Sequence, residues 1–118
     1  MSTVNPELVQ KAIENIDRDR LVKLVMDLVD IPSPTGYEGD VARALNDVLN
    51  TTGIKSVLQP VGDDRYNALG RLQGYGGGKS LMFNGHLDTS FGPEQAHRGL
   101  GYQCKATLVD DEWIYGMG

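Results

Sequence analysis

The stretch Lys79 to Ser90, reading KSLMFNGHLDTS, sets the tightest limits on what this chain can fold into. An apolar run, Leu81 to Phe83, passes through Asn84 and Gly85 into His86 and Asp88, so residue types change abruptly from packing to chemistry. In an extended chain side chains two apart share a direction, so the imidazole and the carboxylate point one way while Leu87 points back. An imidazole is a good zinc ligand, and its second ring nitrogen needs an acceptor that a nearby carboxylate can supply. A His-x-Asp triplet is also common on ordinary surface turns. Its setting gives it weight: a predicted buried strand over 80–85, a glycine, the pair, and then Thr89 and Ser90 opening a loop. Ligands of open α/β sheets gather at the carboxyl ends of strands.

The residues before this stretch read as helices first and strands after. Asn5-Pro6-Glu7 combines a cap, a proline at the first helical position and an acid in the first turn, and Leu8, Val9, Ala12, Ile13 and Ile16 follow at helical spacing. Asp17 caps a second helix, whose stripe of Leu21, Val22, Leu24, Val25, Leu28 and Val29 is broad enough to predict deep burial. Ile31-Pro32-Ser33-Pro34 ends it, because residues before proline avoid helical angles. Thr35-Gly36 turns the chain, Glu38 is a first-turn acid, and Val41, Ala44, Leu45, Val48 and Leu49 line a third helix closed by Gly53.

Strands are expected over 54–61 and 66–72 around a Gly62-Asp63-Asp64 turn, over 80–85, and over 105–109 and 112–115 around Asp110-Asp111. Residues 91–101 read as irregular. The fold class expected is α/β, with amino-terminal helices followed by the strands of a mixed sheet.

Composition narrows the function classes. With 118 residues and 40% hydrophobic content the chain suits one globular domain, and eleven scattered Lys and Arg against sixteen Asp and Glu give a net charge of -5, which argues against nucleic-acid binding. No apolar stretch approaches the roughly 20 residues needed to span a bilayer, and the polar amino terminus shows no signal-type core, so a cytoplasmic location without membrane contact is expected. Cys104 stands alone, which excludes an intrachain disulfide and leaves a small semi-buried side chain as its simplest role. His97 beside Arg98 has no metal-type spacing to His86 and reads as a loop histidine; Trp113 reads as a strand residue packing one face. The run Gly74-Tyr75-Gly76-Gly77-Gly78-Lys79-Ser80 ends like a phosphate loop, but Gln73 stands where the first glycine belongs and no helix is predicted to follow.

Three stretches in order, IPSPTGYE, NGHLDTS and DEWIYGMG, resemble the amino-terminal third of the zinc-dependent acetylornithine deacetylase, succinyl-diaminopimelate desuccinylase and carboxypeptidase family of metallopeptidases. The resemblance covers the chain from about Arg20 onward, with Gly-His-x-Asp its most specific element. It implies part of a zinc-exopeptidase-like catalytic domain, hydrolysing amide bonds in N-acyl amino acids or small peptides with two zinc ions per active site, cobalt or manganese being alternatives. It further implies that His86 ligates one metal and that Asp88 is the catalytic-site aspartate orienting it. A bridging aspartate, a general-base glutamate and a lid domain that often forms a homodimer would lie beyond Gly118, so the segment by itself is expected to be inactive. Met117 stands where the family most often has arginine, and Thr89-Ser90 where many members continue with apolar residues and proline, which points to a divergent subgroup. The rival reading is a non-catalytic relative that kept the fold as a binding or structural protein.

Overall fold

The computed structural model describes residues 5–92 and 105–116. Helix α1 spans Pro6–Glu14, α2 Arg18–Val29 and α3 Gly39–Thr51, and the strands are β1 Lys55–Gly62, β2 Arg65–Arg71, β3 Thr107–Val109 and β4 Trp113–Tyr115. The caps form as the residue types require. The Asn5 side chain accepts from the Glu7 amide at 2.9 Å and the Asp17 side chain from the Arg20 amide at 3.0 Å, each satisfying a first-turn donor that the helix leaves open. Gly53, at φ +83°, turns the chain out of α3 in the left-handed region that suits glycine.

Strands β1 and β2 pair antiparallel from Lys55↔Arg71 to Gly62↔Arg65, with an irregularity between Pro60 and Gly62. Pro60 is tolerated because a two-stranded sheet consists of two edges. Asp64, at φ +50°, closes the turn, and its carboxylate takes both Arg43 Nη1 at 2.7 Å and Nη2 at 3.1 Å, which ties the turn to α3. Helix α3 packs across both strands, and its first turn comes so close to the hairpin that a Cβ on Gly39 would collide with Asp64. Here the packing is tightest: Val41 and Ala42 are the buried apolar residues among those described.

The second hairpin pairs Thr107↔Tyr115, Leu108↔Ile114 and Val109↔Trp113 around Asp110 and Asp111, both at positive φ. The loop has three residues, and within it the Glu112 amide donates to the Val109 carbonyl at 3.1 Å, closing a tight turn on Asp110 and Asp111. This hairpin leans on α2. Arg18 reaches the Asp111 carboxylate at 3.2 Å and its carbonyl, and Asp30 accepts from the Ala106 amide at 2.7 Å.

The helices, the turns and four of the five strands thus form within a residue or two of expectation, and mixed helix and sheet is the observed class. Three expectations are corrected. No strand forms over 80–85: the chain there has no regular secondary structure, and Leu81, Met82 and Phe83 are 79%, 83% and 90% exposed. A mixed sheet is likewise not formed among the described residues; the ladders are two separate antiparallel hairpins, and the single parallel pairing is an isolated bridge between Pro34 and Thr89. The reason is that a hairpin's partner is a turn away, whereas a strand buried on both faces needs distant neighbours to take its hydrogen bonds. Finally, α2 is not deeply buried: Leu21 and Val25 are 53% and 37% exposed, because periodicity marks a helix's apolar face without supplying a surface to cover it. Among the described residues no helix is long and apolar enough to cross a membrane.

Candidate functional site

The site is built where the irregular segment ending at Asp88 meets the loop between α2 and α3. Thr89 donates its amide to the Ser33 carbonyl at 2.8 Å, and Thr35 donates its amide to the Thr89 carbonyl at 3.3 Å, which makes the Pro34 to Thr89 bridge. Proline at the middle position has no N–H to lose, so the loop presents a carbonyl before it and an amide after it, as a parallel bridge requires. Ser33 is buried at 3% exposure.

That bridge sets Asp88 beside Thr35, whose hydroxyl donates to Asp88 Oδ2 at 2.7 Å. On its other side Asp88 meets the imidazole: His86 Nδ1 lies 2.8 Å from the Asp88 carbonyl oxygen and 3.2 Å from Oδ1. The Thr35 hydroxyl first, with Asp88's own amide and the imidazole after it, holds this carboxyl below the usual carboxylate range, against the opposing effect of burial. An ionised carboxylate and a carbonyl can only accept, so these contacts place a proton on Nδ1, and in the neutral ring Nε2 is then the nitrogen with the free lone pair. The His86 side chain is 85% exposed, leaving that nitrogen open to solvent. The sequence reading placed His86 and Asp88 side by side, and they are in contact. Their support comes from the loop bridge at Thr89 and not from an interior strand.

Behind the loop stands a second cluster. Glu38, 6% exposed, receives Arg65 in a fork: Nε to Oε2 at 2.8 Å and Nη2 to Oε1 at 2.8 Å. The Oε1 atom also accepts the Gly36 amide at 2.9 Å, and Gly36 takes φ +99°, a conformation that a side chain would strain. The Arg65 hydrogen bond, with smaller help from the Gly36 amide and from the charge of Arg65, holds the Glu38 carboxyl down at about 2 despite burial. Arg65 is raised in turn, chiefly by Glu38, and Asp88 adds to the same effect, so one guanidinium feels both carboxylates.

Four of these residues, Ser33, Thr35, Glu38 and Arg65, were not singled out by sequence reasoning as part of a site. Three fall in the IPSPTGYE stretch, where Glu38 reads only as a helix-start acid; nothing in the pattern of β2 marks Arg65. Among the described residues no three His, Cys, Asp or Glu side chains converge as a metal cage would require. The donor chemistry of His86, one open nitrogen backed by a carboxylate, fits a single position in such a cage. Asp110 and Asp111 sit in the hairpin turn, as expected. Trp113 pairs with Val109 on β4 and is 61% exposed, so it is a strand residue whose ring is not packed away. Beyond Gly76 and Gly77, both at positive φ, the chain has no regular secondary structure up to Asp88, so there is no helix for a phosphate to meet. Residues 97, 98, 104, 117 and 118 lie outside the described residues, as does most of the 91–101 segment.

The described residues combine helix and sheet, with an imidazole and a carboxylate paired beside the loop between α2 and α3. Comparison with known proteins adds a likeness to a hydrolase. The chain is 34% identical over 74 residues to a protein of Pyrococcus abyssi provisionally named LysW-lysine/LysW-ornithine hydrolase, a match that takes in 63% of this chain and 20% of that protein. The match therefore spans about a fifth of the relative's length. No family model matches, and no solved structure matches.

Proposed function

We propose that this chain carries part of the catalytic domain of a metal-dependent hydrolase acting on amide bonds in N-acyl amino acids or small peptides. The observation that carries the reading is the pairing of His86 Nδ1 with Asp88, which leaves Nε2 without a protein partner in that pair and the side chain open to solvent. The likeness to a hydrolase supports the reaction class, and that relative's name, with its lysine and ornithine conjugates, supports an amino-acid-derived substrate. His86 would hold a zinc, cobalt or manganese ion through Nε2, and Asp88 would keep the ring turned so that this nitrogen faces out. Such an ion, when bound, acidifies a water and polarises the scissile carbonyl.

The test is zinc binding and hydrolysis of N-acetyl amino acids by the intact gene product. Chelation is expected to abolish turnover and zinc to restore it. Asp88→Asn should weaken zinc about tenfold to a hundredfold, and His86→Ala should weaken it more. Zinc affinity and turnover that ignore His86→Ala would overturn the proposed role of His86, and an intact gene product that neither binds zinc nor turns over such substrates would favour the non-catalytic reading.

A further inference from the structure

We infer that Thr35 is a positioning residue for His86: by donating its hydroxyl proton to Asp88 Oδ2, it aims the carboxylate's other oxygen at the imidazole and keeps the ring proton on Nδ1. The inference rests on the proposed metal role only for the use made of Nε2. The tautomer itself stands on two acceptors at Nδ1, the Asp88 carbonyl oxygen at 2.8 Å and Oδ1 at 3.2 Å, and on the Thr35 contact that fixes the second.

A carboxylate turns about its last torsion with little preference, so an aspartate on an exposed segment spends its orientation on water unless something pins it. Here Oδ2 is pinned at 2.7 Å by Thr35, and the opposite oxygen then falls 3.2 Å from Nδ1. The segment that carries Asp88 has no ladder of its own, so the loop supplies the fixed point. That loop is tied on both sides of Thr35. Its backbone meets Thr89 at the Pro34 bridge, the Tyr37 amide donates to the Pro34 carbonyl at 2.8 Å, and Gly36 hangs on Glu38, which Arg65 holds. A hydroxyl delivered from so constrained a turn selects one carboxylate orientation, and the carboxylate adds its acceptor to the Asp88 carbonyl oxygen in favouring one tautomer. Without it the carboxylate can swing to solvent, leaving the Asp88 carbonyl oxygen to hold the Nδ1 proton by itself, and more of the neutral rings carry their proton on Nε2, where no cation could then bind.

The experiment reads the tautomer directly. In the 118-residue chain labelled with 15N-histidine, His97→Gln leaves the single ring of His86, and nitrogen shifts are recorded along a rising pH series up to the plateau where they no longer change. The unsubstituted chain should show Nδ1 protonated and Nε2 bare. Thr35→Val should lower the Nδ1–H to Nε2–H ratio about tenfold, the scale of one hydrogen bond to a charged group, while Thr35→Ser keeps it. If the valine variant does not fold, Thr35→Ala is read instead. An unchanged ratio in either folded variant, or a proton on Nε2 in the unsubstituted chain, overturns the inference. Zinc binding by the intact gene product is a separate measurement: its failure removes the metal reading and leaves the tautomer result standing.

Discussion

The α3 and β1–β2 unit and the irregular segment 79–88 are apolar in similar proportion, yet the first is packed and the second is not. In the first, each strand finds its hydrogen-bond partner across a short turn, and α3 lies over both, burying Val41 and Ala42. In the second, Leu81, Met82 and Phe83 face solvent, and order enters only at the far end, where Thr89 bridges Ser33 and Thr35. Apolar composition therefore does not by itself make a core. It does so where local hydrogen bonding can close first, because unpaired backbone groups are costly to bury.

The contrast can be broken most severely at Gly39. Its neighbour Asp64 leaves no room for a Cβ, so Gly39→Val should lower stability by about 2–3 kcal/mol, read as a lower urea midpoint; a midpoint equal to the unsubstituted chain would show that α3 and the hairpin are not in close contact. A smaller effect is expected at the pair that joins this unit to the site. Glu38→Gln should cost about 1–2 kcal/mol, at the low end for a charged hydrogen bond because Arg65 is 43% exposed.

The sign of the pH dependence follows from Glu38's lowered carboxyl. Its contribution is complete above the ordinary value of 4.5 and is lost as pH falls toward about 2, so the Gln variant should lose part of the acid-induced drop across that window. Urea midpoints at neutral pH and at pH values within the window measure both effects, and an unaltered acid slope would count against the fork. The smallest effect belongs to the exposed run: Phe83→Ser should change stability by less than about 0.5 kcal/mol and reduce self-association through the uncovered apolar surface. A loss above about 1 kcal/mol on the same urea curves would mean that the segment is packed after all.

Much of the fold was legible because its signals are local. Asn5, Asp17, Gly53 and the aspartate turns act within four residues of themselves, and the periodicity of α1 to α3 needs only the helix to express it. The strand expected over 80–85 failed for the opposite reason, since an apolar run is the same in sequence whether or not a distant strand pairs with it. The site divides along the same line. His86 and Asp88 are two residues apart, and their contact follows from chain geometry; the Thr35 hydroxyl and the Arg65 fork reach across sequence separations of 53 and 27 residues.

The amino-acid sequence by itself determined the helices, both hairpins and the adjacency of an imidazole to a carboxylate, because each is settled by hydrogen bonds and torsions among near neighbours. Only the tertiary structure decided which apolar faces are covered, that a loop and not a strand holds Asp88, and that Glu38 is a buried anchor with Arg65 as its counterion. Those outcomes depend on which distant groups arrive to replace water, and the order of residues does not record that arrival.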